Sequence, residues 1–306
     1  MMFEWFQSHR DMMCVIMGAA FGLGARIFML RSDYRQYPAY PHGKIIHLSL
    51  GLIAGALGAV AVPALFNKDY TAITFLSLAA QQFREVRNME RNTLTAIDHL
   101  ELVPRGAAYI EGIAVVFEGR NYLAILTAFM VSVFVMWVGW WAGLLAGAAS
   151  LLVAHYFMKG KKISHIAHVE MAPIRLDGPN LYVGDVYMMN VGLDENREII
   201  REQGIGFILV PKNDDAKVTI ANLGQRQAIL HDVSTRLGVY RDDGDPALMP
   251  IAKLGLRTGK LGLLVLPREK DVDKAYQAVS NVPLLEAAVR MPTEANRKST
   301  EAKQSG

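Results

Sequence analysis

NYLAILTAFMVSVFVMWVGWWAGLLAGAASLLVAHYFM, residues 121–158, carries no charge apart from the titratable His155. A membrane-spanning helix needs about 20 apolar residues at a rise of about 1.5 Å each, so this run is roughly twice the required length. It is interrupted at Gly139-Trp140-Trp141, and indole rings favour the water interface. The stretch therefore reads as a helical hairpin with its turn at the membrane surface. Two further runs each match a single span. Residues 12–30, MMCVIMGAAFGLGARIFML, are apolar apart from Arg26, and residues 45–66, IIHLSLGLIAGALGAVAVPALF, hold only His47 and the kink-prone Pro63. Tyr70–Phe83 is apolar but short and reads as a short span, a re-entrant piece or an interfacial helix.

Composition agrees with a membrane protein. The chain has 306 residues, 52% of them hydrophobic and only 20% charged, against about 25% charged in an ordinary soluble domain; its mean hydropathy is +0.19. The apolar content excludes a chain disordered throughout. With Cys14 as its single cysteine there is no disulfide scaffold. A net charge of +3, dispersed along the chain, excludes a nucleic-acid binder. The first run reads as a retained helix, because Glu4 and Asp11 offset Arg10 and no clean small-x-small cleavage site precedes a mature domain; a cleaved signal is the alternative.

Orientation follows the Lys/Arg bias of short loops. Lys159, Lys161 and Lys162 after the hairpin place the C-terminal half in the cytoplasm, and Arg84, Arg87, Arg91, Arg105 and Arg120 place segment 84–120 on the same side. Arg31, Arg35 and Lys44 make the same demand of loop 31–44. A crossing at Tyr70–Phe83 satisfies all three, which gives five spans with the N-terminus outside. Without that crossing there are four spans with the N-terminus inside.

From Ile163 the pattern changes. Gly206–Pro211 and Gly262–Pro267 are short apolar runs closed by proline and read as buried strands. Glu195–Gln203, Gln225–Leu237 and Val272–Val279 have helical spacing, with Gly204 stopping the first. Asp177–Asn180, Asp242–Pro246 and Gly255–Gly262 read as turns. The expected organisation is a polytopic α-helical membrane domain of four to five spans over 1–162, containing the polar segment 84–120. A small soluble α/β or α+β domain follows over 163–291, and a disordered tail over 292–306.

Several residue groups are candidates for packing or chemistry. Gly139, Gly143 and Gly147 form a GxxxGxxxG ladder suited to close helix packing or an oligomer seam, and Gly18/Gly22 and Gly51/Gly55 repeat the spacing. Arg84, Arg87, Glu90 and Arg91 form a dense charged helix in which Glu90 is an i,i+3 partner for Arg87. Tyr109–Phe117 is apolar except for Glu111. A lone carboxylate at membrane depth is costly unless paired or hydrated, so Glu111 is a site candidate with Arg105 or Arg120 as its expected partner; in the alternative, residues 106–119 lie in the interface and Glu111 reaches water. Glu118, seven residues on, shares its helical face, and Asp98 offers a further carboxylate for acid–base work. His165, His168 and Glu170 fit no common zinc spacing. Gly255–Gly262 lacks the residues of a phosphate loop, and no metalloprotease or serine-hydrolase motif is present. No cofactor or metal is expected.

The hexapeptide Tyr109-Ile-Glu-Gly-Ile-Ala114 is identical to the string that names the YIEGIA family, integral membrane proteins of endospore-forming bacteria. The flanking FREVRNMERNTL, ELVPRGAAYIEGIA and FEGRNYL also resemble that family's polar core. The resemblance implies a sporulation-associated protein of the bacterial cytoplasmic or forespore membrane, in contact with lipid and docking a small soluble capping-type subunit through its C-terminal domain. It also implies, as an alternative, a membrane-embedded protease acting on a protein substrate. Glu111 is the one ionisable residue carried over from the motif; Arg105, Glu118 and Arg120 enter because they flank it. Three functions follow as expectations: a docking membrane protein, a protease using Glu111 with a second carboxylate, and a channel or transporter lined by Glu111.

Overall fold

A computed structural model describes residues 9–38, 41–157, 160–240 and 248–289. The expected turn Asp242–Pro246, the expected tail 292–306 and Lys159 lie outside the described residues. The chain forms two compact units: Met1–Asn92 with Ile113–Gly160, and Thr93–Gly112 with Lys161–Gly306. Segment 93–112 therefore folds with the C-terminal half of the chain.

The first unit is helical. Its elements are α1 (Arg10–Asp33), α2 (Pro41–Phe66), α3 (Tyr70–Phe83), the start of α4 (Val86–Asp98), most of α5 (Ala107–Trp137) and α6 (Trp140–Phe157). By length and composition α1, α2 and α5 can each cross a membrane, and Trp140–Tyr156 is a shorter apolar helix. The break in the long apolar run falls where expected: Val138 and Gly139 separate α5 from α6, and Gly139 takes φ +135°. α3 is 14 residues long, or about 21 Å at 1.5 Å per residue. The charged segment differs in one detail. Arg84 and Glu85 form a turn, and α4 starts at Val86.

Small residues set the helix spacing. A Cβ at Gly22 would lie 2.8 Å from both Gly55 Cα and Ala128 Cβ, so α1, α2 and α5 approach at their backbones. Gly143 packs against Val131 and Val135 of α5, and Gly147 against the Phe21 ring. Of the ladder, Gly143 and Gly147 are contact points and Gly139 is the turn.

The second unit is built on a four-stranded antiparallel sheet of order β1-β5-β7-β6: β1 (Ala167–Met171), β5 (Ile205–Pro211), β7 (Leu261–Val265) and β6 (Ile251–Leu254). A three-stranded antiparallel sheet adds β2 (Ile174–Asp177), β3 (Asn180–Val183) and β4 (Val186–Asn190). Alternation along β5 shows why its sequence is continuously apolar. Phe207 and Leu209 join the cluster containing Ile220, Ile229, Val233 and Val279 from helices, while Ile208 joins Leu181, Val183, Val186 and Met188 from the small sheet. Both faces of β5 are thus covered.

The helices are α7 (Ile163–Ile166), α8 (Asp194–Gln203), α9 (Asp214–Ala221), α10 (Leu223–Leu237) and α11 (Val272–Ser280). Asn213, Asn222 and Asp271 cap α9, α10 and α11 by accepting the backbone N–H of Ala216, Gln225 and Lys274. Gly178-Pro179 is the two-residue turn joining β2 to β3. Gly255–Lys260 closes the β6–β7 hairpin, with Gly255 N–H donating to Lys260 O at 2.8 Å.

Candidate functional site

The first unit buries charge. Arg26, the single charge in its apolar run, and Asp33 are seven residues apart on α1. That is nearly two turns, so they share a face. Arg26 Nη1 donates to Asp33 Oδ2 at 2.6 Å, and Arg120 of α5 donates to Asp33 Oδ1. Arg120 also donates to Met29 O and Ser32 Oγ, each at 3.2 Å. Arg26 Nε donates to Asn121 Oδ1 at 2.8 Å. Arg26 is 0% exposed, Asn121 1% and Arg120 5%, so these ions depend on one another and not on water.

Beside this network lies an acid–base group. Glu90 of α4 is 2% exposed. Its Oε2 accepts the Tyr37 hydroxyl at 2.6 Å and lies 3.6 Å from His47 Nε2. His47 Nδ1 is 3.1 Å from the Tyr34 hydroxyl. Tyr34 and His47 are thus hydrogen-bonded to each other, as are Tyr37 and Glu90, and the two pairs meet at the 3.6 Å separation of His47 from Glu90. The Phe117 ring ties the two groups together: Arg26 Cζ lies 4.3 Å from its centroid and the His47 ring 4.6 Å. A carboxylate and an imidazole this close can pass a proton between water and a leaving group. Ionisable groups buried in an apolar bundle are the first place to look for function.

The residues singled out in the sequence divide between the units. In the first, Glu90 and Arg120 belong to the buried groups just described. Arg87 lies 3.8 Å from Glu118 in a more open pair, and Arg84 and Arg91 are exposed. In the second, both oxygens of Asp98 accept backbone N–H groups, from Arg105 at 2.6 Å and Gly106 at 3.2 Å. Asp98 thus braces a loop. Arg105 donates to Glu101 at 2.9 Å. Glu111 sits half-buried near the start of α5. Gln227 Oε1 accepts the Tyr109 N–H at 3.0 Å, and His231 Nδ1 lies 2.8 Å from Val103 O, so α10 holds segment 93–112. Gly106, at φ +82°, leaves room for the Gln227 amide. Burial holds the His231 imidazole below its ordinary pKa and the Asp232 carboxyl above its own.

His165 is a capping residue whose Nδ1 accepts the Lys162 N–H at 3.0 Å. Among the described residues no group of three or more His, Cys, Asp or Glu is placed to hold a metal ion. Sequence reading missed Asp33, Tyr34, Tyr37 and Asn121. The i,i+7 spacing of Asp33 from the conspicuous Arg26 was the available signal; the tyrosines and Asn121 gave none.

The model of the YIEGIA protein family matches residues 14–295. The uncharacterized protein YphB of Bacillus subtilis (strain 168) is 54% identical over 280 residues, covering 92% of this chain and 94% of its own. No solved structure matches.

Proposed function

This chain belongs to the YIEGIA family, and from that premise we propose that it is a membrane-embedded hydrolase of sporulating cells, in the first place a protease. The observation that carries the reading is the buried Glu90–His47 pair, 3.6 Å apart and flanked by Tyr37 and Tyr34. Glu90 takes the proton of an attacking water, and His47 relays a proton to the leaving amine. The spore-former relative and the apolar helices support a membrane setting in a sporulating cell. The Lys/Arg bias supports five crossings, α3 among them, with the second unit in the cytoplasm.

The test compares wild type, Glu90→Gln and Glu111→Gln in sporulating cells, following the whole proteome and each variant's own membrane level. The expected result is that Glu90→Gln stays inserted while one or a few proteins accumulate. Accumulation with Glu111→Gln alone moves the centre to the family hexapeptide. Normal turnover in both variants overturns the hydrolase.

A second reading is compatible with the first: the second unit docks a small soluble subunit of the capping type. It is favoured by an apolar cleft of about 420 Å³ lined by residues including Met189, Leu193, Ile200, Met249 and Leu266, at whose rim Leu193 is 65% exposed. Leu193→Asp in the full chain is expected to lose the co-purifying subunit at an unchanged membrane level. Retention of the subunit removes the cleft from consideration.

A further inference from the structure

We infer that Arg26 and Asn121 form a donor pair that holds a neutral carbonyl oxygen inside the helical bundle and polarises it for attack. This assignment rests on the hydrolase reading above. It starts from two donors that the network described so far does not use. Arg26 spends Nε on Asn121 Oδ1 at 2.8 Å and Nη1 on Asp33 at 2.6 Å. Among the described residues, Arg26 Nη2 and Asn121 Nδ2 are buried with no acceptor. Buried donors are nearly always bonded, because leaving one unpaired costs its full desolvation.

The two unused donors are neighbours by construction. In a guanidinium, Nε–H and one N–H of Nη2 lie along the same edge. That edge faces Asn121 through Nε, and Nδ2 shares an amide carbon with Oδ1. Turning the amide over does not resolve the problem, since Nε can only donate and so requires Oδ1 where it is. The two unused donors therefore belong to the guanidinium and the amide that meet at the Arg26–Asn121 contact.

Charge selects the occupant. The cluster's two guanidiniums, Arg26 and Arg120, are matched by two carboxylates, Asp33 and Glu90, all at most 9% exposed. A permanent anion would upset that balance in a place where water cannot screen it. A peptide carbonyl does not. It also gains negative charge only as water adds to its carbon, when the C=O π pair moves onto oxygen and the water's proton passes to Glu90. Collapse returns that pair, breaks the C–N bond and delivers a proton to the amine. Donors fixed at the oxygen bind it most strongly at the charged stage. The Phe117 ring is touched by both Arg26 and His47 and so links the pair to the acid–base group.

The test uses Asn121→Asp in the full chain. Asp keeps an oxygen for Arg26 Nε but replaces the Nδ2 donor with an acceptor. The readout is the turnover rate of a protein that accumulates in Glu90→Gln cells. A loss of about 10²–10³-fold is expected, at wild-type membrane level. Wild-type turnover in Asn121→Asp with an inactive Glu90→Gln overturns the donor pair and leaves the hydrolase standing. An active Glu90→Gln overturns both. Should Asn121→Asp fail to accumulate, detergent-purified wild type and Glu90→Gln are heated with a leucinal-ended peptidyl aldehyde or with chloride. The aldehyde is expected to raise both unfolding temperatures. No shift with the aldehyde, or a shift with chloride alone, overturns the proposal.

Discussion

Replacing Asp33 by alanine removes a carboxylate that both Arg26 and Arg120 bond, from within α1 and from α5. Two guanidiniums, 0% and 5% exposed, then face Glu90 as the remaining carboxylate of the cluster. Removing one partner of a buried ion pair costs about 3–5 kcal/mol, because the other charge stays buried and uncompensated. An ordinary interhelical hydrogen bond in a bilayer contributes only about 0.6 kcal/mol, so the two outcomes are well separated. The expected loss of at least about 3 kcal/mol is more than a hundredfold in the unfolding equilibrium at about 1.4 kcal/mol per decade.

Unfolding by dodecyl sulfate in dodecyl maltoside micelles, followed by tryptophan fluorescence, reads this loss in the bundle. All four tryptophans, Trp5, Trp137, Trp140 and Trp141, precede the second unit's main segment. The double variant Asp33→Ala/Arg120→Met leaves one buried cation, Arg26, against Glu90. Its loss is expected to fall well short of the sum of the two single losses. An Asp33→Ala protein within about 1 kcal/mol of wild type, or strict additivity in the double variant, refutes the charge-balance argument.

Three further outcomes follow from the same geometry. Burial holds His231 below its unfolded value of 6.5, so the unfolded chain takes up a proton first on acidification. Stability of the second unit is then full above 6.5 and falls as pH drops from there toward the folded pKa. Protection factors across 98–109, with the intrinsic exchange rate divided out, are expected to fall between pH 7.5 and 5.5, and His231→Gln to flatten that response. Asp232, raised above 3.8 by burial, acts with the opposite sign in the window that begins at 3.8. Gly22→Val is expected to lower membrane accumulation severalfold, since even its Cβ meets Gly55 and Ala128 at 2.8 Å. Gly119→Ala, which meets nothing within 4 Å, is expected to accumulate normally. Gly106→Ala, strained at φ +82° and pressed on Gln227, is expected to expose segment 98–109 to protease.

Much of the fold is legible because its determinants are local. An apolar run of spanning length is read directly from hydropathy, and the Gly139 break is visible as a glycine beside paired tryptophans. β5 and β7 are continuous apolar runs because helices cover one face of their sheet and a second sheet covers the other. The missed strands are short and half-exposed, such as β2 with its alternating burial over four residues, and carry too little pattern to separate them from loop. The membership of segment 93–112 was hidden for another reason. It depends on Gln227 and His231, more than a hundred residues away.

The candidate site illustrates how a single conspicuous residue can mislead. Glu111 draws attention because it is alone in an apolar stretch, yet solitude in sequence does not measure burial or pairing. The sequence puts Glu90 in a dense charged helix as an i,i+3 partner for Arg87, and only the fold shows it enclosed by Tyr37 and His47. A rule based on charge conservation reaches further than one based on conspicuousness. Arg26 is the single charge within the apolar run 12–30, so a buried anion must accompany it. Asp33, two turns along the same face, is the nearest candidate in the chain. Asp33 then accepts a second cation, Arg120, and the balance calls for a second anion, which is Glu90. Followed in that order, the requirement that buried charge sum to zero leads from one arginine to the acid–base pair without any motif. It fails at Asn121 because a neutral amide leaves no trace in a count of charges.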